Sequence, residues 1–248
     1  MKQSVLEYKK LLEQEGLLVE FAEPEGKEGE DRPVTLVTYF SGGADQGTLF
    51  LCKGAAFKEA YLKDAINRGA VAYVSEKKYE AGKEIPALIV NDARKAQFVL
   101  GEAFYDYPAK SLHVTALTGT KGKTTTTYLV KSILENAGYK VGLIGTIEAI
   151  IGDEVIPAAN TTPESYIVQE YFAKMAEAGC DCVVMEVSSQ GLMLHRTAGF
   201  VFDFGIFTNI EPDHIGPNEH KDFDDYLHCK GLLFKQCKVG IVNADDEH

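Results

Sequence analysis

Short apolar runs alternate along this chain with segments whose apolar positions recur at helical spacing, and the alternation predicts its elements directly. In the first part the pattern predicts a helix near residues 4–15 and a polar, mobile stretch at 23–32. Strands follow near 34–38 and 48–51, then a helix near 60–68, strands at 72–74 and 87–90, and a helix at 93–105. The chain divides near 107–111, where Y-P-A-K-S separates a helix from a strand. The second part predicts a strand at 113–117, a helix to about 136 closed by Gly138, a strand at 141–144 and a hairpin over 146–156. Thr162 then reads as an N-cap, with Pro163 opening a helix to 177. Strands at 182–187, 204–208 and 239–243 surround a last helix at 222–236. Strands alternating with helices imply an α/β protein: a small α/β domain over 1–109, then a mostly parallel, doubly wound domain over 110–248.

The junction between the 113–117 strand and its helix carries the strongest chemical signal. Val114 to Thr127 reads V-T-A-L-T-G-T-K-G-K-T-T-T-T. Gly119 and Gly122 let backbone N–H groups approach phosphate oxygens, and the helix start adds its positive dipole end. The general phosphate loop has a glycine where Leu117 stands, so this is the shorter form G-T-x-G-K-T. Gly119, Thr120, Lys121, Gly122, Lys123, Thr124 and Thr125 are the candidate nucleotide contacts, with Lys123 on the phosphates and Thr124 on Mg²⁺. The plain alternative is a glycine-rich turn before an ordinary helix.

Composition narrows the partners. A net charge of −12 argues against non-specific nucleic-acid binding and against docking on an anionic membrane, so any anion site must be local. No apolar stretch approaches the length of a membrane span and the start lacks a signal-peptide core, which places the protein in the cytoplasm. Cys52, Cys180, Cys182, Cys229 and Cys237 show no paired C-x-x-C clusters and read as reduced thiols.

Three further residues stand out at the carboxyl ends of predicted strands or on the helix after them. Glu186 ends an apolar strand, and a buried carboxylate needs a metal, a nearby lysine or a turn to cap. His214 follows the 204–208 strand in N-I-E-P-D-H and can offer a neutral nitrogen to Mg²⁺ or Mn²⁺, with Asp213 either supporting it or shaping a turn. Lys230 falls amid the apolar side of the last helix, where its stem can lie on the core while its ammonium snorkels to water.

Taken together, the segments T-G-T-K-G-K-T-T, T-T-P-E-S, E-V-S-S-Q-G-L, H-R at His195, T-N-I-E-P-D-H, C-K-G-L-L-F and V-N-A-D-D resemble the Mur ligases, in particular the branch that adds the third amino acid to the cell-wall precursor. L-F-L-C-K-G-A-A-F-K from Leu49 is similar to that family's uridine-binding domain. The resemblance implies an ATP-dependent amide ligase acting on UDP-N-acetylmuramoyl-L-alanyl-D-glutamate through an acyl phosphate, with L-lysine or meso-diaminopimelate as the incoming amine. By position it assigns Lys123 and Thr124 to ATP and a first Mg²⁺. Glu186, His214 and a carbamylated Lys230 go to a second metal, and Thr161, Thr162, Ser188 and Arg196 to the muramoyl-dipeptide.

The sequence also departs from the family. Lys121 replaces a common Asn, resembling a subset that includes lysine-adding members. Phe40, Ser41 and Gly42 stand for a D-S-R-like element, leaving Ser41 as the candidate uracil contact; Gln190 and Leu194 replace a common His and Gln. The family continues beyond N-A-D-D-E-H into the rest of the central sheet and an amino-acid-binding domain, so the resemblance implies a fragment inactive by itself. Two other readings stay open: a folylpolyglutamate- or cyanophycin-type ligase, and a non-catalytic binder of nucleotide or UDP-precursor.

Overall fold

The structure, a computed structural model, describes residues 3–24, 26, 29–54, 57–217 and 219–248. Parts of two segments singled out above lie outside the described residues: positions 25, 27 and 28 of the polar stretch, and Ala55 and Ala56 of the uridine-domain segment. The chain forms two compact units, Met1–Asp106 and Tyr107–His248.

The first unit contains α1 (Val5–Gln14), β1 (Leu18–Ala22), β2 (Leu36–Thr38), β3 (Thr48–Leu51), α2 (Glu59–Asn67), β4 (Ala70–Ser75), β5 (Ala87–Val90) and α3 (Ala93–Phe104). A capping box starts α1: the Ser4 hydroxyl accepts from the Glu7 N–H, and Glu7 accepts from the Ser4 N–H at 2.8 Å. The sheet order is β1-β5-β4-β3-β2, parallel except for β1, which runs antiparallel to β5. β1 is not predicted from the sequence; it is an edge strand with no fully buried residue, so it shows little apolar pattern. Phe50, Leu62, Tyr73 and Ile89 anchor the core beneath this sheet.

The second unit runs β6 (His113–Thr118), α4 (Lys123–Asn136), β7 (Val141–Ile144), β8 (Glu148–Ile151), β9 (Glu154–Pro157), α5 (Ser165–Glu177), β10 (Cys182–Glu186), α6 (Ser189–Met193), β11 (Phe202–Phe207), α7 (Phe223–Gly231) and β12 (Cys237–Val242). Its sheet has the order β12-β11-β6-β10-β7-β8-β9, parallel across the first five strands and antiparallel through β8 and β9. β6 lies between β10 and β11, so the loops leaving all three emerge along one sheet edge, where α/β sheets bind ligands. Val114, Val168, Phe172, Met185 and Phe202 fill the core. All five cysteines are free. No helix among the described residues is long and apolar enough to cross a membrane.

Three predicted details change. The helix expected from an N-cap at Thr162 begins at Ser165 with Glu164 as its cap residue. The Thr162 hydroxyl is engaged elsewhere, donating to the Glu186 carbonyl at 3.2 Å and accepting from the Ser188 N–H at 2.9 Å. The single helix expected over 222–236 ends at Gly231 and tightens into a 3₁₀ turn over Leu232–Lys235. A short helix, α6, follows β10 where the sequence pattern assigns no element; the Ser188 hydroxyl caps it by accepting from the Gly191 N–H at 3.0 Å.

Candidate functional site

The loop between β6 and α4 depends on glycine at both ends. Gly119 has φ 152°, and a Cβ there would come within 2.1 Å of Thr208 Oγ1. Gly122 adopts φ 79° as the N-cap of α4. The loop is fixed from the β11 side: Asn209 O accepts from the Thr120 N–H and Asn209 Oδ1 from the Lys121 N–H, both at 3.0 Å. Thr120 Oγ1 lies 3.1 Å from Tyr226 Oη on α7 and accepts from the Glu211 N–H at 3.0 Å. Lys121 pairs with Glu211 at 2.8 Å on the exposed surface. Lys123 folds back and donates to the carbonyls of Gly119 at 2.8 Å and Thr120 at 3.2 Å. Burial pushes its pKa down, opposed by Glu186 and Asp213. Thr125 is exposed on the first turn of α4.

Glu186 is fully buried, as its place in an apolar strand implied, and hydroxyl and amide donors hold it. Thr124 Oγ1 donates to Glu186 Oε2 at 3.0 Å; Thr146 contributes its hydroxyl at 2.9 Å and its N–H, to Oε1, at 3.0 Å. The loop threonine and the strand-end carboxylate therefore form one oxygen-donor pair, whose chemistry suits magnesium.

Lys230 does not snorkel to water. It is 1% exposed, its ammonium donates to Gly119 O at 2.8 Å, and it lies 4.7 Å from the centre of the Tyr226 ring. Packing of α7 onto the loop buries it. Desolvation, reinforced by the charge of Lys123 and opposed by Asp213, pushes the Lys230 pKa down to about 7.

His214 lies in the loop after β11. It is half-exposed, adopts a left-handed φ of 53°, and places Nδ1 3.0 Å from Glu219 Oε1 and Nε2 4.0 Å from Asp213 Oδ2. No hydrogen bond joins it to Glu186 among the described residues; the Tyr226 ring lies 5.9 Å away between centroids, and the His214 carbonyl accepts from the His220 N–H at 3.0 Å. Asp213 Oδ1 accepts from the His214 N–H at 2.9 Å and so shapes the turn.

The expected precursor contacts gather beside Glu186. Thr161 Oγ1 lies 3.1 Å from Thr146 Oγ1, and Thr162 is tied to Ser188 as described. Arg196 donates to the Thr162 carbonyl at 3.1 Å and pairs with Glu164 at 3.1 Å; its Nε is buried with no partner among the described residues. Ser41 belongs to the first unit, on a 3₁₀ turn over Ser41–Gly43.

Sequence reasoning missed Thr146, Tyr226 and His220. Nothing local marks them: each acts on a partner distant in sequence. His220, Asp225 and Cys229 also cluster closely enough to share a cation, but the direct His220–Asp225 hydrogen bond of 3.1 Å satisfies that pair without one.

A glycine-pinched loop between a parallel strand and a helix N-terminus, in a doubly wound sheet, defines the class of P-loop α/β folds. Within that class, the sequence profile of the Mur ligase middle domain matches residues 117–248, more than half of the chain, and the chain belongs to the Mur ligase family. It is 44% identical over 221 residues to a UDP-N-acetylmuramyl-tripeptide synthetase of Limosilactobacillus reuteri, covering 88% of this chain and 43% of that protein. It is 43% identical over 246 residues to a UDP-N-acetylmuramoyl-L-alanyl-D-glutamate–L-lysine ligase of Enterococcus faecalis, covering 96% and 48%. Among solved structures it matches a UDP-N-acetylmuramoyl-L-alanyl-D-glutamate–2,6-diaminopimelate ligase with a TM-score of 0.72 at 23% identity, covering 87% of this chain and 44% of that one. The chain thus spans less than half the length of these curated relatives.

Proposed function

We propose that this chain carries the phosphate-binding and precursor-binding machinery of an ATP-dependent ligase. That ligase extends UDP-N-acetylmuramoyl-L-alanyl-D-glutamate by a third amino acid, L-lysine or meso-diaminopimelate. The observation that carries this reading is the convergence of the glycine loop, Thr124, Glu186 and Lys230 at one sheet edge. The two similar relatives bear names that fit it.

In this reading the α4 N-terminus and Lys123 bind the β- and γ-phosphates, and Lys123 exchanges its loop carbonyls for phosphate oxygens. A cavity of about 660 Å³ beside the loop, lined by Asn209, Leu227, Phe234 and Asn243 among others, has room for the nucleoside. Arg196, whose Nε has no partner among the described residues, together with Thr161, Thr162 and Ser188, orients the terminal carboxylate of the precursor. In the first unit, a cavity of about 600 Å³ lined by Lys53, Lys77 and Arg94 offers cations for the UDP diphosphate; Ser41 is not among its lining residues.

Divalent metal held by Thr124 and Glu186, and by His214 with carbamylated Lys230, would neutralise the charge between triphosphate and carboxylate. Carbamylation follows from the chemistry of Lys230: its unprotonated Nζ forms a bond to CO₂, one proton leaves to solvent, and an anionic carboxylate replaces a cation. A pKa near 7 keeps the reactive amine abundant. The precursor carboxylate oxygen then takes the γ-phosphoryl as the β,γ P–O bond of ATP breaks and ADP leaves; the incoming amine attacks the acyl carbon of the resulting acyl phosphate, inorganic phosphate departs and the amine nitrogen gives up a proton, leaving the amide. The protein's part is positioning and charge compensation.

Thermal melting of the chain with MgATP, UDP-N-acetylmuramoyl-L-alanyl-D-glutamate and folate in turn tests the reading. Stabilisation by the first two and not by folate is expected. Stabilisation by folate alone, or by none, refutes it.

A further inference from the structure

His220 is fully buried and bonded through both ring nitrogens: Nε2 lies 2.8 Å from Ser189 Oγ and Nδ1 3.1 Å from Asp225 Oδ2. Its backbone is engaged as well. The His220 N–H donates to the His214 carbonyl at 3.0 Å, and the His220 carbonyl accepts from the Gly216 N–H at 3.0 Å, closing the loop that carries His214. Ser189 opens α6, in the segment that leaves Glu186, and Asp225 sits on α7, the helix of Lys230. The Tyr226 ring packs 5.2 Å from His220 and 5.9 Å from His214, with Lys230 over it. Three separate pieces of the cluster therefore meet at one imidazole.

We propose that His220 is a positioning residue that fixes where His214 and Lys230 stand relative to Glu186, and so sets metal affinity without touching metal or substrate. The proposal rests on the metal reading above. An imidazole held at both nitrogens has one orientation, and its backbone bond transmits that orientation to His214. The left-handed backbone of His214 costs of order 1 kcal/mol or more, and such strain persists only where surrounding contacts over-determine it. His220 supplies those contacts. Disturbing outer contacts of metal ligands typically weakens metal binding about 10–100-fold.

The test is Mn²⁺ binding to the chain in the presence of ATP, followed by electron paramagnetic resonance, for the wild type, Ser189→Ala and His220→Asn. Ser189→Ala removes one bond and leaves the ring in place, so it serves if His220→Asn fails to fold. Mn²⁺ affinity is expected to fall about tenfold or more in His220→Asn and severalfold in Ser189→Ala. ATP affinity without metal should stay within about twofold, and the double variant should bind Mn²⁺ no worse than His220→Asn. A purely structural role would lower the melting temperature and leave Mn²⁺ affinity alone. That result, with a wild type that binds Mn²⁺, overturns the proposal. A wild type showing no ATP-dependent Mn²⁺ binding overturns the metal reading itself and the proposal with it.

Discussion

Lys123 and Lys230 share one acceptor: each ammonium nitrogen lies 2.8 Å from the carbonyl oxygen of Gly119. Two cations drawn to one carbonyl repel each other. Burial and this repulsion together hold Lys230 near neutrality at physiological pH.

Because the folded-state pKa of Lys230 lies below its unfolded value, the native state binds fewer protons than the unfolded state between about pH 7 and the ordinary lysine range. Stability should therefore rise with pH across that window, by at most about 1.4 kcal/mol per pH unit from this one group. Replacing Lys230 with Met should flatten the rise. Denaturant unfolding in CO₂-free buffer from pH 7 to 9.5 checks this; equal slopes for both proteins would refute it.

Glu186 accepts three hydrogen bonds, two of them from Thr146. Glu186→Gln keeps the shape and removes the charge, so divalent-ion affinity should drop tenfold or more while stability changes by less than about 2 kcal/mol. Glu186→Ala should cost more stability, because it empties a fully buried position and removes the acceptor of three hydrogen bonds. Calorimetric Mg²⁺ titration with ATP present, beside urea unfolding, separates the two variants.

Gly119 has no room for a methyl group. Gly119→Ala should destabilise by about 1–3 kcal/mol through overpacking against Thr208 and should abolish nucleotide binding, since the loop must move to relieve the contact. Unfolding midpoints and ATP calorimetry would show it. An alanine variant with wild-type ATP affinity would contradict the role given to this loop.

Arg196 reaches the Thr162 carbonyl and Glu164 at once, geometry that lysine cannot reproduce. Arg196→Lys should weaken binding of the UDP-muramoyl-dipeptide about tenfold and leave ATP binding unchanged, measured by calorimetry with each ligand separately.

The strand–turn–helix around Gly119 and Gly122 was legible in the sequence because its physics is local: the two glycines act within one short segment. The apolar run of β10 likewise announced that Glu186 would be buried and in need of partners. What supplies those partners was not legible. Thr146 is an ordinary residue in a turn until β7 lies beside β10 and points its N–H at the carboxylate. Lys230 read equally as a snorkelling side chain, and Thr162 as a helix cap, because their sequence neighbours are compatible with either.

The sequence by itself determined the α/β alternation, the division into two units and the glycine-pinched turn after β6, since each follows from periodicity or short spacing. Tertiary structure decided the rest. Placing β6 between β10 and β11 brings Gly119, Glu186 and Lys230 to one edge, and packing α7 onto the loop shuts Lys230 away from water. The His220 contacts with Ser189 and Asp225 arise in the same way. Desolvation and hydrogen bonding between distant segments come into being only when the chain is folded, so no local pattern could have carried them.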